Sequence, residues 1–400
     1  MPNGLAKSKT EHKVFIGDQL ETCNDFSSLQ YRLSLERGCV VNWDTQAEVW
    51  ARAFGPEVLR VHPGDCSLLL TEIPMCPPSI QDTIDEMVFE HFGFQSYCTR
   101  PAPVLAALAV QHEQSQQSEK PPPCASLVLD AGFSATHAVP IYGSSALNFG
   151  IKRLNLGGKA LTNHLKQIIS FRSYNVMEET YLINDVKERL CYVSLDFTTE
   201  LALTRFKGKK NTLRREFVMP DYVNHFRGQI RDPNQPAAAP AAAAAPAPAA
   251  AATEGGPPKK KQKELVVEEQ VLVVSNERIS VPELLFRPSD IGIDQAGVGE
   301  VLVQAAEATL PDLREVLYSN IVLTGGSTLF PHFEERLRAE LRELAPADYS
   351  ISISRASDPL LAAWKGGSLF ASADSYESHV VTKAEYDEHG HSLCRARFLM

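Results

Sequence analysis

This 400-residue chain lacks several features that would by themselves identify its class of protein. No apolar run approaches the ~20 residues of a membrane-spanning helix, and residues 1–10 hold no hydrophobic signal segment. The eight cysteines form no C-x-x-C pair, which argues against a zinc ribbon and a thioredoxin-like site. We therefore expect a soluble, intracellular protein whose thiols are reduced and mostly buried.

An excess of basic charge is also lacking. The formal net charge of −10 argues against a surface that binds nucleic acid over its whole extent, so any basic function must be local. The histidine pairs His91 with His112 and His389 with His391 offer no three or four ligands at zinc-like spacing, and we interpret them as surface residues. What is present is 44% hydrophobic content, enough for a substantial core in two or three domains or one duplicated fold.

One segment stands apart from the rest of the chain. Residues 234–263 are dominated by alanine and proline and end in lysine, a composition that predicts a disordered surface insertion. Its end, Lys259, Lys260, Lys261 and Lys263, is typical of a nuclear-import signal, and the alternative is a charge run that only keeps the insertion soluble. A shorter polar stretch at 112–123 predicts a loop.

Elsewhere, strand and helix signals alternate. Short apolar runs at 66–71, 126–129 and 320–324 predict buried strands, and a capped amphipathic helix is predicted to start near Ser79. A further helix after residue 326 carries four apolar residues on one face: Phe333, Leu337, Leu341 and Leu344. The repetition of strand, glycine turn and helix predicts an α/β fold of two related lobes.

Three glycine-containing turns have the composition of phosphate-binding loops. In the first, Asp130 and Gly132 end a predicted strand and are followed by the small residues Ser134 and Thr136. The others are Gly157-Gly158 and Gly325-Gly326-Ser327. Small residues let backbone N–H groups approach a phosphate, and an aspartate at a strand end can hold a hydrated Mg²⁺. Each turn taken alone is equally consistent with an ordinary tight turn.

Taken in order, longer segments of the chain resemble the actin family. They include LLLTEIPMCP, LVLDAGFSATHAVPIY, LNLGGKALTNHL, NDVKERLCYVSLDF, NERISVPELLFRPSDIG, IVLTGGSTLFPHFEERL, AWKGGSLFAS and TKAEYDEHG. The resemblance covers residues 40–390 apart from the insertion. It implies the two-lobed, ribonuclease H-like α/β fold shared with Hsp70 and sugar kinases, in which duplicated mixed sheets are flanked by helices. It also implies a small lobe at 1–110 and 359–400, and a large lobe at 111–358 that contains the insertion.

Four further stretches look most like one nuclear subfamily of actin-related proteins: VNWDTQAEVW, FRSYNVMEETYLINDVKE, PADYSIS and DEHGHSLC. This resemblance implies a structural subunit of a Swr-type chromatin-remodelling complex, which exchanges a variant histone into nucleosomes. We then expect a nuclear protein with some cytoplasmic fraction, which binds other subunits of the complex and contacts nucleosomes or histones indirectly. Binding to membranes and filament formation are not expected.

Within the actin resemblance, eleven positions match nucleotide-contacting residues: Asp130, Gly132, Ser134, Thr136, Gly157, Gly158, Lys187, Glu188, Gly325, Gly326 and Ser327. Asp130 is also the candidate Mg²⁺ contact, through water. The family's first phosphate loop is expected to be absent from this chain, and Phe133 stands where the family has a second aspartate.

By the same resemblance, Leu108 falls at the family's water-positioning glutamine and Leu360 at its adenine-stacking lysine. We therefore expect no catalytic residues and weak or absent ATPase activity. The cleft is expected either to bind ATP or ADP with Mg²⁺ statically or to bind no nucleotide. The alternatives are a weak ATPase of the actin superfamily and a cytoskeletal actin-related protein.

Overall fold

The computed structural model describes residues 3–8, 13–23, 26, 29–117, 121–206, 208–220, 227–232 and 270–398. The predicted insertion at 234–263, with its four lysines, lies outside these residues. The chain forms two compact units, one of Met1–Phe197 with Glu277–Met400 and the other of Thr198–Asn276. Among the described helices, none combines the length and the apolar character needed to cross a bilayer.

Short strands and helices alternate along the chain, as the sequence pattern predicts. The strands are β1 (Gly4–Ser8), β2 (Val14–Ile16), β3 (Leu29–Leu33), β4 (Leu35–Glu36), β5 (Cys39–Val40), β6 (Ser67–Glu72), β7 (Ser96–Pro101), β8 (Ala125–Ala131), β9 (Thr136–Tyr142), β10 (Ser145–Ala146), β11 (Lys152–Leu154), β12 (Arg215–Val218), β13 (Gln229–Arg231), β14 (Val271–Val274), β15 (Ile321–Thr324), β16 (Ile353–Arg355) and β17 (Val381–Thr382).

The helices are α1 (Trp43–Phe54), α2 (Pro78–Glu86), α3 (Ala102–Gln117), α4 (Gly158–Arg172), α5 (Thr180–Leu190), α6 (Phe197–Leu203), α7 (Glu277–Glu283), α8 (Val298–Glu307), α9 (Pro311–Ser319), α10 (Phe333–Leu344), α11 (Ala362–Ala371), α12 (Lys383–His389) and α13 (His391–Phe398). The smaller unit contains the antiparallel sheet β13-β12-β14.

A mixed sheet forms the centre of the larger unit. Its order is β10-β9-β8-β15-β16, with β11 paired to β9. Strands β8, β15 and β16 are parallel, whereas β8 and β9 are antiparallel. The side chains of Leu127, Leu129, Ile321 and Leu323 are fully buried, because both faces of a parallel sheet are covered. The parallel pairing brings the carboxyl ends of β8 and β15 side by side.

A second core lies around the sheet β17-β7-β6. Phe89, Phe94, Tyr97 and Tyr386 are buried together there, with Cys394 of α13 in the same cluster. Ring contacts such as Phe89 on Tyr386, with centroids 4.6 Å apart, join α2 and its continuation to α12. The last helices of the chain are thereby packed against α2 and β7.

Several predicted elements are confirmed, and two need correction. The three predicted strands appear as β6, β8 and β15, and α10 buries Phe333, Leu337 and Leu341 but leaves Leu344 exposed. The loop predicted at 112–123 is wrong in its first part, because α3 continues to Gln117 through glutamine-rich sequence that favours helix. Helix α2 begins at Pro78 and is not capped by Ser79, since proline is well suited to a first helical position.

Candidate functional site

Two of the predicted phosphate-type turns meet where β8 and β15 end. Asp130 of β8 pairs in register with Thr324 of β15, and Gly325 follows with a φ of +89°. A Cβ at Gly325 would lie 2.9 Å from Asp130 Oδ1 and 2.5 Å from the Ala131 carbonyl oxygen. Only glycine permits this backbone conformation and this close approach. Because the two turns are far apart in the sequence, their direct contact is seen only in the structure.

The third turn packs onto the first. Gly158 donates its backbone N–H to the Gly132 carbonyl at 3.0 Å, and Lys159 donates to the Phe133 carbonyl at 2.8 Å. A Cβ at Gly157 would lie 2.7 Å from the Phe133 oxygen, so that position also requires glycine. The start of α4 is therefore bonded to the loop after β8, and all three predicted glycine turns belong to one constellation.

Lys187 and Glu188 of α5 have roles that the sequence did not predict. The Lys187 ammonium group donates to the Gly158 carbonyl at 3.2 Å, to Thr162 Oγ1 at 2.9 Å and to Asn184 Oδ1 at 2.8 Å. Its burial lowers the pKa of this lysine. Glu188 is exposed and accepts a 2.7 Å hydrogen bond from Asn184 Nδ2. In this conformation Lys187 joins α5 to the start of α4, and Glu188 extends the same network outward.

The loop after β8 forms part of the wall of a cleft of about 900 Å³. Of the predicted residues, Asp130, Gly132 and Ser134 line it. Thr136 and Ser327 are buried instead, and the Thr136 hydroxyl donates to the Leu156 carbonyl at 2.8 Å. These two side chains therefore stabilise the loops from within.

Sequence reasoning missed one polar wall of the cleft. Helix α4 contributes four lining side chains: Lys159, Thr162, Asn163 and Lys166. Their spacing of three, four and seven residues places them on one helical face, and that period was the available signal. Lys166 Nζ donates to Thr180 Oγ1 at 3.0 Å, and burial together with the neighbouring Lys159 lowers its pKa. The wall carries positive charge that could balance an anion such as a phosphate.

The floor of the cleft holds polar groups that lack protein partners. Burial raises the pKa of Asp130 to about 6, and its carboxyl group has no hydrogen bond or ion pair within the described part of the chain. His137 Nε2 is also buried without a hydrogen-bond partner there, and burial with the nearby Arg153 lowers the pKa of His137 to about 4. A buried polar atom without a partner needs an explanation, and a bound ligand or ion is one. His137 is neutral at physiological pH.

The positions that depart from the actin pattern fall into two groups. Phe133 lines the cleft at the loop tip, and Leu360 lies over Gly326, with a δ-carbon 3.2 Å from a Cβ built at that glycine. Leu108, however, does not line the cleft; Ala102 does so, at the start of α3 and roughly 9 Å further back along the helix. The assignment of Leu108 to the water-positioning site is therefore wrong. The first turn of α3, Ala-Pro-Val, nevertheless carries no polar side chain.

The cleft fits a nucleotide with Mg²⁺ only in part. The turn at Gly132 and the α4 lysines suit phosphate groups, and Asp130 suits a hydrated cation. The loop itself supplies no second carboxylate, because a phenyl ring occupies that position. If nucleotide binds, Lys159, Lys166 and the turn at Gly132 would hold its phosphates.

Comparison with known proteins agrees with this arrangement. The actin family model matches residues 1–399, so the likeness extends beyond residues 40–390, over which the resemblance was predicted. Actin-related protein 6 of Arabidopsis thaliana is 43% identical and is aligned over 100% of this chain and 93% of its own. Its counterpart in Oryza sativa subsp. indica is 42% identical over 100% and 92%, respectively.

A fungal relative is also similar over the whole of this chain. The actin-like protein ARP6 of Cryptococcus neoformans is 39% identical over 100% of this chain and 79% of its own length. The family suggests nucleotide binding, and the mixed sheets flanked by helices agree with the predicted two-lobed α/β class. On the extent of the family match and the identity to full-length relatives, the chain belongs to the actin family.

Proposed function

We propose that this protein is a non-catalytic structural subunit of a nuclear chromatin-remodelling complex that exchanges a variant histone into nucleosomes. The subfamily resemblance supports this role, because the relatives above carry the name actin-related protein 6 or ARP6. The observation that carries the non-catalytic part is Phe133, whose ring is 52% exposed and lines the cleft at the tip of the loop after β8.

The chemistry of hydrolysis explains why this residue matters. Phosphoryl transfer to water depends on an oriented water and on a metal whose ligands hold it near the leaving group. Phe133 and Ala102 can neither orient a water nor hold the waters of a metal ion. A nucleotide in this cleft would act as a static ligand that stabilises the fold by mass action.

A turnover assay on the pure protein tests the non-catalytic part. With excess Mg²⁺ and ATP, we expect phosphate release no faster than from a sample of Asp130→Asn, which lacks the carboxylate at the end of β8. Conventional actin serves as the positive control. Turnover in the wild type that Asp130→Asn abolishes would identify the alternative, a weak ATPase that uses Asp130 and the α4 lysines.

Affinity purification from nuclear extract tests the partners. A tagged chain is expected to recover a helicase-type remodelling subunit, its companion subunits and the variant histone. Recovery of actin regulators alone would contradict the proposal and favour the cytoskeletal alternative. Sedimentation with Mg²⁺ and ATP also distinguishes the two roles, because a structural subunit is expected to stay in the supernatant and a filament-forming protein to pellet.

The predicted import signal can be tested in cells. A fluorescent fusion that lacks residues 234–263 is expected to shift from the nucleus to the cytoplasm. The matched control replaces only Lys259, Lys260, Lys261 and Lys263 with glutamine, which keeps the length of the segment. Unchanged nuclear localisation of both variants would rule out this signal.

A further inference from the structure

The larger unit contains one succession of elements twice. Apart from one short helical segment in each copy, both run strand, helix, strand, helix: first β6, α2, β7 and α3, and later β15, α10, β16 and α11. In each copy the two strands are parallel neighbours. The last helices, α3 and α11, pack so closely that a Cβ at Gly366 would collide with the Leu105 carbonyl group. Strands β6 and β15 therefore hold equivalent places, and their surroundings can be compared.

The two equivalent strands differ at one edge. Strand β15 lies between β16 and β8, and all four of its residues are buried. Strand β6 has β7 on one side, and within the described ranges no strand pairs with its other edge. Ser67 and Thr71 are exposed, and Leu68, Leu69 and Leu70 are only partly buried. The sheet of β6 thus lacks the neighbour that β8 provides for β15.

Strand β6 is also unprotected for an edge strand. Proteins usually make open edges short, charged or irregular, because a long regular edge pairs with other strands. The edge strands β13 and β16 follow this rule, since each has three residues and ends in an arginine, Arg231 and Arg355, respectively. Strand β6 has six residues, SLLLTE, in continuous register with β7, and contains neither lysine nor proline. Its open edge is therefore suited to pairing with a further strand.

Helix α11 exposes apolar side chains beside this edge. Gly367 of α11 meets β6, because a Cβ built there would lie 3.3 Å from Leu69 Cδ2. Trp364 is three residues earlier and shares that face of the helix, yet it is 70% exposed. Leu361, three residues before Trp364, is 47% exposed. The apolar face of α11 thus extends beyond the part that β6 covers.

The arrangement around β15 indicates what would cover this surface. There the second edge is filled by β8, which runs parallel to β15 and turns back as the antiparallel β9. Leu127 of β8 donates its N–H to the Asn320 carbonyl at 2.9 Å, so alternate residues of β8 direct their N–H groups to that edge. Two β6 edges paired by a two-fold axis would instead run antiparallel. The parallel direction favours a hairpin of another polypeptide over a second copy of this chain.

We propose that the edge of β6, together with Leu361 and Trp364 of α11, binds a β-hairpin of a partner polypeptide. The first strand of the hairpin adds parallel to β6 as β8 adds to β15, and its apolar side chains cover Trp364. Backbone hydrogen bonds provide affinity, and the side chains on one face of the strand provide specificity. Binding of the hairpin depends neither on the chromatin role proposed above nor on a nucleotide.

A synthetic hairpin of residues 125–142, which contain β8 and β9, is the probe. Titration of the fluorescein-labelled hairpin with the full-length protein, followed by fluorescence anisotropy, is expected to saturate at one hairpin per chain. Hydrogen exchange at the amides of β6 should slow in the complex. N-methyl groups at Leu127 and Leu129 of the probe remove two donors that face the edge, and should weaken binding by at least about tenfold. No saturable binding, or equal binding of the methylated hairpin, would overturn the proposal.

Two protein variants locate the bound hairpin. Trp364→Ala should weaken binding by roughly tenfold, because a tryptophan covered in an interface contributes strongly to affinity. Phe171→Ala is the matched control, since this aromatic residue at the end of α4 is 93% exposed and should not affect binding. Circular dichroism checks that both variants fold, and Leu361→Ser replaces Trp364→Ala if the latter does not. Equal affinities of the folded α11 variant and the control would overturn the proposal.

Sedimentation velocity without the probe tests the second copy as occupant. We expect a single species with the 44.1 kDa mass of one chain. A dimer that Trp364→Ala dissociates would overturn the partner hairpin and assign the surface to self-association.

Discussion

Two carboxylates in the larger unit are treated in opposite ways. Glu283 at the end of α7 is 1% exposed and accepts hydrogen bonds from Arg336 of α10 at 2.9 and 3.2 Å. Asp130 at the end of β8 is enclosed by the cleft, and no described side chain pairs with it. The carboxylate between packed helices is thus paired with a cation, whereas the carboxylate at the cleft has no described partner.

This difference in pairing distinguishes a carboxylate that stabilises the fold from one that lies in a candidate binding site. A buried charge without a partner costs free energy, so a fold keeps one only where something else offsets the cost. At Glu283 the offset is the guanidinium group of Arg336, which also donates to the Ser194 carbonyl at 2.8 Å. At Asp130 no described side chain offsets this cost. A bound cation or a hydrated ligand would offset it. Substitutions at Arg336, Lys187, Asp130 and Phe133 test this contrast, in decreasing order of the change expected.

Replacing Arg336 with methionine should have the largest effect. Glu283 would remain buried with only the exposed Arg287, whose Nε lies 3.6 Å away, as an ion-pair partner, so the free energy of unfolding should fall by about 3 kcal/mol. Urea denaturation followed by circular dichroism measures this change. The double variant Arg336→Met with Glu283→Leu should recover most of the loss, and a single-variant loss below about 1 kcal/mol would contradict the role of the pair.

Lys187→Met tests the cleft wall. The substitution removes donors to Gly158, Thr162 and Asn184 while keeping the apolar stem, and should lower the free energy of unfolding by about 1–3 kcal/mol. Arg189→Met, on the exposed side of the same helix, is the matched control and should change stability little. Equal effects of the two variants would mean that the Lys187 contacts contribute nothing specific.

Asp130→Asn should stabilise the protein without ligand, and only at higher pH. The folded-state pKa of Asp130, about 6, lies above the ordinary value of 3.8. The stability contributed by the protonated carboxyl group is therefore fully present below pH 3.8 and is lost as the pH rises through about 6. We expect the variant to be more stable than wild type by about 1–3 kcal/mol at pH 8 and by little at pH 4. Thermal unfolding at both pH values measures this difference, and a pH-independent gain would contradict it.

Phe133→Asp should restore part of a metal site and has the smallest expected effect. A second carboxylate beside Asp130 would order the waters of Mg²⁺ and raise affinity for a fluorescent ATP analogue by roughly tenfold. The increase should vanish when EDTA removes Mg²⁺. Phe149→Asp, at another exposed phenylalanine, is the control for added charge. Tighter binding in both variants would show that the effect is not local to the loop.

Part of the fold could be predicted from local pattern. The apolar runs of β6, β8 and β15 and the three-and-four spacing along α10 predicted those elements, because burial on one or both faces leaves a direct trace in sequence. The end of α3 was missed, since Gln and Ser suit both loops and exposed helix surface. The lobe boundaries at 110 and 359 remain a prediction.

Only part of the candidate site was predicted: three of the eleven proposed positions line the cleft, and the polar face of α4 was missed. Asp130, Gly132 and Ser134 line the cleft as expected, whereas Lys187 and Thr136 stabilise the loops. The error at Leu108 arose because a short shift along a helix changes which face a residue occupies, and the start of α3 at Ala102 decides that face. Matching a family motif identifies the segment more securely than the exact side chain.

By itself, the sequence determined membership of the actin family, the strands of the central sheet and the glycine turns at their ends, because each depends on neighbouring residues. Only the tertiary structure decided what those turns contact. Gly325 meets Asp130, α4 adds its lysines to the cleft, and His391 comes within 3.2 Å of Asp85, 306 residues earlier in the chain. Contacts between distant segments depend on packing of whole elements, which leaves no local signature in the residues that meet.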